Sequence, residues 1–121
     1  MPRTILVVDD SATVRQLLEL NLKKLPDVRV SQAIDGLDAL EKLKVAKPSV
    51  LVTDINMPRM DGIALIEAVR KDDPTLPIVV VTTRGEEEDV TRGMKAGANA
   101  YVTKPINGAQ LVETLRGLLP G

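Results

Sequence analysis

Residues 49–72, SVLVTDINMPRMDGIALIEAVRKD, hold one complete structural unit. Val50, Leu51 and Val52 are apolar at consecutive positions, so a strand here (49–54) presents apolar side chains to both of its faces and needs cover on both. The run ends in an acid, Asp54. A proline-containing loop follows, shaped by Met57-Pro58. Asp61 and Gly62 then open a helix over 61–72, with Ile63, Ile66 and Val69 in register on one side. Asp61 reads as its N-cap. A doubly covered strand joined by a short loop to a one-faced helix is the repeating unit of a parallel sheet with helices on both sides.

The same unit recurs in both directions. TILVVD (4–9) and PIVVVTT (77–83) are strands apolar on both faces; VRVSQA (28–33) alternates, and NAYVTK (99–104) is short with polar ends. A helix over 11–25 carries Val14, Leu17, Leu18, Leu22 and Leu25. Asp35 caps a second, with Leu37, Leu40 and Leu43 on one side and Asp38 three residues on, an acidic variant of the capping box. A weaker helix spans 86–98, and the last, over 107–119, carries Leu111, Leu115, Leu118 and Leu119. Five βα units without a linker or repeat make residues 1–121 one α/β domain, a (βα)5 doubly wound sandwich. The doubly apolar strands one, three and four belong inside the sheet, and strands two and five at its edges. With right-handed crossovers the order is 2-1-3-4-5, and the ligand position lies beyond the carboxyl ends of the strands, between strands one and three.

Composition narrows the chemistry. Of 121 residues, 44% are apolar and 27% charged, which suits a packed globular core. Lys and Arg number 16 against 17 Asp and Glu, so nothing draws the chain to nucleic acid or to an acidic membrane. No window approaches the ~18 apolar residues of a membrane span, and no signal peptide opens the chain. With no cysteine for disulfides, the expected compartment is the cytoplasm. The absence of histidine removes the commonest general base and transition-metal ligand. Carboxylates, hydroxyls, lysine and backbone remain, and the metal they suit is hard: Mg²⁺, or Mn²⁺ in its place.

The strand ends gather these groups. Strand one ends in Asp9 and Asp10, strand three in Asp54 with Asn56 just beyond, strand four in Thr82 and Thr83, and strand five in Lys104 before Pro105. Two unit charges 4 Å apart repel by about 4 kcal/mol at an effective dielectric of 20. Lys104 alone does not balance three acids; a divalent ion would. Asp9 or Asp10, Asp54 and a backbone carbonyl near Asn56 could supply its shell. A metal, a carboxylate, a lysine and a hydroxyl together suit phosphoryl transfer to the carboxylate, giving an acyl phosphate.

Taken in order, VVDDS (7–11), TDINMPRMDG (53–62), VVTT (80–83) and AGANAYVTKP (96–105) resemble response-regulator receiver domains of two-component signalling, and among them the single-domain CheY-like proteins. The resemblance covers essentially the whole chain and implies a flavodoxin-like fold. It implies that Asp54 is the phosphoacceptor, that Asp9 and Asp10 bind Mg²⁺ together with Asp54 and the Asn56 carbonyl, and that Lys104 pairs with a phosphoryl oxygen. Thr82 would be the switch hydroxyl, Tyr101 the switch aromatic, and the Lys104–Pro105 bond cis. Thr83, bulkier than the family's usual residue, could crowd the phosphoryl pocket; Arg84 and Asn56 should influence dephosphorylation.

The resemblance also implies a function. A sensor histidine kinase or histidine phosphotransfer domain would phosphorylate Asp54, and the surface of the fourth helix, fifth strand and fifth helix would then engage a downstream effector, with chemotaxis or motility the expected pathway. No turnover of an external substrate is expected. Two alternatives compete: a phosphorylation-independent binding module that keeps the fold, and a Mg²⁺-dependent aspartyl phosphatase. The adjacent acids of strand one and the lack of a cap domain argue against the phosphatase. Some residues have plainer readings. Asp10 could cap the first helix, and EEED (86–89) reads as a solvated acidic first turn favoured by the helix dipole.

Overall fold

The computed structural model describes residues 3–83 and 87–119. The elements alternate strictly: β1 (Arg3–Val8), α1 (Ala12–Leu22), β2 (Val28–Ala33), α2 (Gly36–Val45), β3 (Val50–Asp54), α3 (Gly62–Asp72), β4 (Ile78–Thr83), α4 (Glu87–Ala96), β5 (Ala100–Lys104) and α5 (Gly108–Leu118). The five strands form one parallel sheet in the order β2-β1-β3-β4-β5, the order expected from strand composition.

The doubly apolar strands explain the layering. Ile5 and Val7 of β1, Val50 and Val52 of β3, and Val79 and Val81 of β4 point to one face, where they meet Leu18 and Leu22 of α1 and Leu111 and Leu115 of α5. The alternate residues, Leu6 and Val8, Leu51, and Ile78 and Val80, point the other way onto Ala39 of α2 and Leu65, Ile66 and Val69 of α3. Both faces are therefore packed, and removing all of this aliphatic surface from water is the main force holding the strands in place. β2 is covered less: Val28 and Val30 are half-buried while Arg29 and Ser31 are exposed, as suits an edge.

Helices α1, α2, α3 and α5 each have a side-chain cap at the start. The side chains of Ser11, Asp35, Asp61 and Asn107 accept hydrogen bonds from the amides of Val14, Asp38, Ala64 and Gln110. Ser11, not Asp10, is thus the cap of α1. Asp38 bonds the Ile34 amide, one residue before the position a capping box would reach. Two apolar stripes are also shallower than their periodicity suggests. Leu17 is 41% exposed and Leu37 is 42% exposed. Helix α2 seats on Ala39 instead, because the small side chain allows closer approach, which leaves Leu40 and Leu43 half-buried at its flank.

Gly62 is a tight joint against backbone. Its amide donates to the Ile55 carbonyl at 2.8 Å, folding the loop back on the end of β3. A Cβ at this position would overlap the Asp54 carbonyl oxygen. Gly62→Ala should therefore cost about 3 kcal/mol in urea unfolding, at the upper end of overpacking effects. Gly117→Ala, on α5 with nothing within 4 Å of the added methyl, should be neutral or stabilising by up to about 1 kcal/mol.

Candidate functional site

Register brings the acids together. Val8 lies opposite Thr53 in the β1–β3 ladder, so Asp9 and Asp54 follow at adjoining positions on neighbouring central strands. Asp9 is 1% exposed and Asp54 is 7% exposed, whereas Asp10 is open to solvent. One carboxylate oxygen from each of the three lies within 4.8 Å of the others.

Both buried acids are held from their backbone side. Asp9 Oδ1 accepts from the Ser11 amide at 2.9 Å, and its main-chain carbonyl accepts from Arg15 Nη1 at 2.7 Å. Asp54 Oδ1 accepts from the Ile55 amide at 2.8 Å. Their remaining oxygens converge on one cation: Lys104 Nζ lies 3.2 Å from Asp9 Oδ2 and 3.5 Å from Asp54 Oδ2. Asp9 Oδ2 has no hydrogen-bond partner among the described residues, so its stabilisation is this ion contact alone. β4 ends beside the cluster. Thr82 is 1% exposed and its Oγ1 also lacks a partner among the described residues. Thr83, one residue on, lies opposite Lys104 in the β4–β5 ladder and is exposed. Arg84 lies outside the described residues.

The electrostatics follow from this crowding. Burial raises the Asp54 pKa, and repulsion from Asp9 raises it further; Lys104 offsets only part of this. For Lys104, burial acts to lower the pKa, but attraction from Asp54 and Asp9 outweighs it and the lysine is held more firmly charged. A site with three carboxylate donors, an unbonded Asp9 oxygen and a single lysine fits a small, hard divalent cation. The Lys104–Pro105 bond is cis, and Tyr101 is 48% exposed on β5.

The loop after Asp54 is braced from two sides, through Arg59, to which the sequence alone assigns no role, and through a side-chain bond of Asn56. On one side, Arg59 has a positive φ of 67° and donates to the buried Asp35 carboxylate through Nε at 2.6 Å and Nη2 at 3.0 Å. This pairing lowers the Asp35 pKa. The Gly36 amide beside it donates to the Met60 carbonyl at 3.1 Å. On the other side, Asn56 Nδ2 donates to Asp89 Oδ2 at 3.0 Å. Asp89 is only 9% exposed, so the acidic first turn of α4 is not solvated throughout; Glu87 and Glu88 face water and Asp89 faces the loop. The signal was available in the spacing: Asp89 lies one turn before Gly93, the buried glycine on which α4 seats.

Residues 5–116 match the family model of the response regulator receiver domain. The chain belongs to that family. Among its members it is similar to CheY-like proteins: it is 41% identical over 118 residues to the chemotaxis protein CheY1 of Helicobacter pylori, covering 95% of each chain. It is 40% identical over 115 residues to the transcriptional regulatory protein PrrA of Mycobacterium leprae, where it covers 95% of this chain and spans only 49% of that protein. The structure of the chemotaxis response regulator CheY4 of Vibrio cholerae superposes with a TM-score of 0.89 at 34% identity, covering 98% of this chain and 100% of the other.

The raised Asp54 pKa has a measurable sign. The folded protein binds a proton at Asp54 more readily than the unfolded chain, so without metal this group makes folding less favourable above its folded pKa. That penalty shrinks as pH falls toward the unfolded value. Asp54→Asn, which keeps the acceptor for the Ile55 amide, should be more stable than wild type at pH 7 without divalent cations. Urea unfolding at pH 7, 5 and 4 should show the advantage narrowing as the wild-type carboxyl protonates.

Proposed function

We propose that this receiver domain is a phosphorylation-activated switch in which Asp54 accepts a phosphoryl group from a partner histidine kinase or histidine phosphotransfer domain. One observation carries the reading: three carboxylates meet at the end of the sheet around a single lysine, with Lys104 Nζ contacting both Asp9 and Asp54. Such a cluster is unfavourable at rest and becomes favourable when cation and phosphate complete it.

In the transfer, an Asp54 carboxylate oxygen attacks the phosphorus of a phosphohistidine. The new O–P bond forms as the P–N bond breaks, and the electron pair leaves with the imidazole nitrogen. The Ile55 amide fixes the orientation of the Asp54 carboxylate, and Lys104 supplies positive charge where phosphoryl oxygens arrive. The Thr82 hydroxyl, buried and without a partner among the described residues, gains one in a phosphoryl oxygen. Asp9, Asp10, Asp54 and the Asn56 carbonyl would hold Mg²⁺. Mg²⁺ supplies neutralisation of charge on the transferring group.

The output reading rests on connectivity. Lys104 and Tyr101 share β5, so a change at the site reaches the α4-β5-α5 surface directly, where it shifts an existing equilibrium between two surfaces. Chemotaxis or motility is the proposed pathway, on the likeness to CheY1 along 95% of its length. The cytoplasm is the proposed compartment, in keeping with a chain that has no cysteine. No helix among the described residues is long and apolar enough to cross a membrane.

Two measurements test the reading. Mg²⁺ at 100 times its Kd should raise stability by about 2.7 kcal/mol, and Asp54→Ala should lose much of that gain. With Mg²⁺ and a small acyl phosphate, the intact mass should rise by one phosphoryl group in wild type and not in Asp54→Ala. An equal gain in both proteins would remove Asp54 from the role.

A further inference from the structure

We infer that the hydrogen bond between Asn56 and Asp89 is a latch that couples the state of the Asp54 site to the position of helix α4, with Asp89 as its positioning residue. The coupling to phosphorylation rests on the function proposed above; the latch itself does not.

Asp89 is unusual for an acid in the first turn of a helix. Glu87 and Glu88 face water and satisfy the helix dipole there. Asp89 turns inward and is 9% exposed, a costly placement for a carboxylate unless something bonds it. Both of its oxygens are engaged: Oδ2 accepts from Asn56 Nδ2 at 3.0 Å, and Oδ1 lies 3.5 Å from Arg92 Nη1 on its own helix. The Arg92 pair holds the carboxylate in place, and the Asn56 bond ties it to a segment 33 residues earlier in the chain.

That segment adjoins the reacting group. The Ile55 amide donates to Asp54 Oδ1, and Asn56 follows immediately. One turn beyond Asp89, a methyl at Gly93 would lie 3.0 Å from Val80 Cγ2 and 3.5 Å from Ile55 Cδ1. Helix α4 therefore rests on Ile55 through Gly93 and is tied to Asn56 through Asp89. Any reorientation of the Asp54 carboxylate is transmitted through the Ile55 amide to Asn56, and from there to α4. This route is separate from the one through Thr82 and β5.

Hydrogen exchange of the α4 amides, read against the β1 and β3 amides of the same protein, tests the latch. In the protein without metal or phosphate, Asp89→Ala should speed α4 exchange by about tenfold, the scale of one charge-assisted hydrogen bond, and leave β1 and β3 unchanged. Asn56→Ala, which keeps the Asp89 charge and the main-chain carbonyl, should reproduce the effect, and the double substitution should add nothing further. Unchanged α4 exchange in either single variant, or additive effects in the double, would overturn the latch and leave Asp89 serving only the helix dipole or Arg92. With Mg²⁺ and a small acyl phosphate, α4 exchange should change in wild type and stay fixed in Asp89→Ala while both take up phosphate. An equal response in the two, or none in a phosphorylated wild type, would also overturn it. If neither protein gains phosphate, the reading of Asp54 fails, and the metal-free comparison still decides the latch.

Discussion

Two carboxylates buried side by side on neighbouring central strands repel each other, and only a nearby cation offsets that repulsion. Asp9 and Asp54 stand in that relation, and Lys104 reaches both. The parallel sheet creates the problem, because its register delivers the ends of β1 and β3 to the same place. The sheet also supplies the partial answer, because β5 brings the lysine to the same rim. An imbalance of this kind is a poor way to stabilise a resting protein. It is a good way to make the rim sensitive to what binds there.

The surroundings hold the site under that imbalance. Asp54 sits where a buried strand ends, and the loop that follows is pinned in three ways. Gly62 folds it back onto Ile55, Arg59 clamps it to Asp35 at the start of α2, and Asn56 ties it to α4. The first two attachments go to elements seated on the α2 and α3 side of the core. The third goes to a helix whose first turn offers little apolar surface to the core: Glu87 and Glu88 are exposed and Asp89 is committed to the loop. Rigid support on one side and a polar tether on the other set which neighbour can yield when the rim changes.

Much of this was legible in the sequence because strands and helices announce themselves differently. Ile5 to Val8, Val50 to Val52 and Val79 to Val81 are apolar without interruption, and such runs have one stable home, the middle of a doubly covered sheet. Once the order followed, Asp9, Asp54, Thr82 and Lys104 fell on one rim by geometry. Depth was harder to read. Leu17 and Leu37 share the period of a buried stripe, yet each lies at its margin, where a shift of one position along the helix moves a side chain into water. Polar partnerships were hardest. Spacing to Gly93 can place Asp89 on the inner side of α4, but nothing local marks Asn56 as its partner or Arg59 as the partner of Asp35, because these bonds depend on where a loop and a helix start arrive after the sheet has formed.

The lone aromatic has an experimental consequence. The chain has one tyrosine and neither phenylalanine nor tryptophan, and Tyr101 is 48% exposed on β5, the strand that ends in Lys104. Near-ultraviolet absorption, intrinsic emission and aromatic proton resonances of this protein all therefore originate from a single position. A spectroscopist needs no introduced probe, and no background must be subtracted from the rest of the fold. Every such optical signal reports the polarity and packing of one side chain on the edge strand.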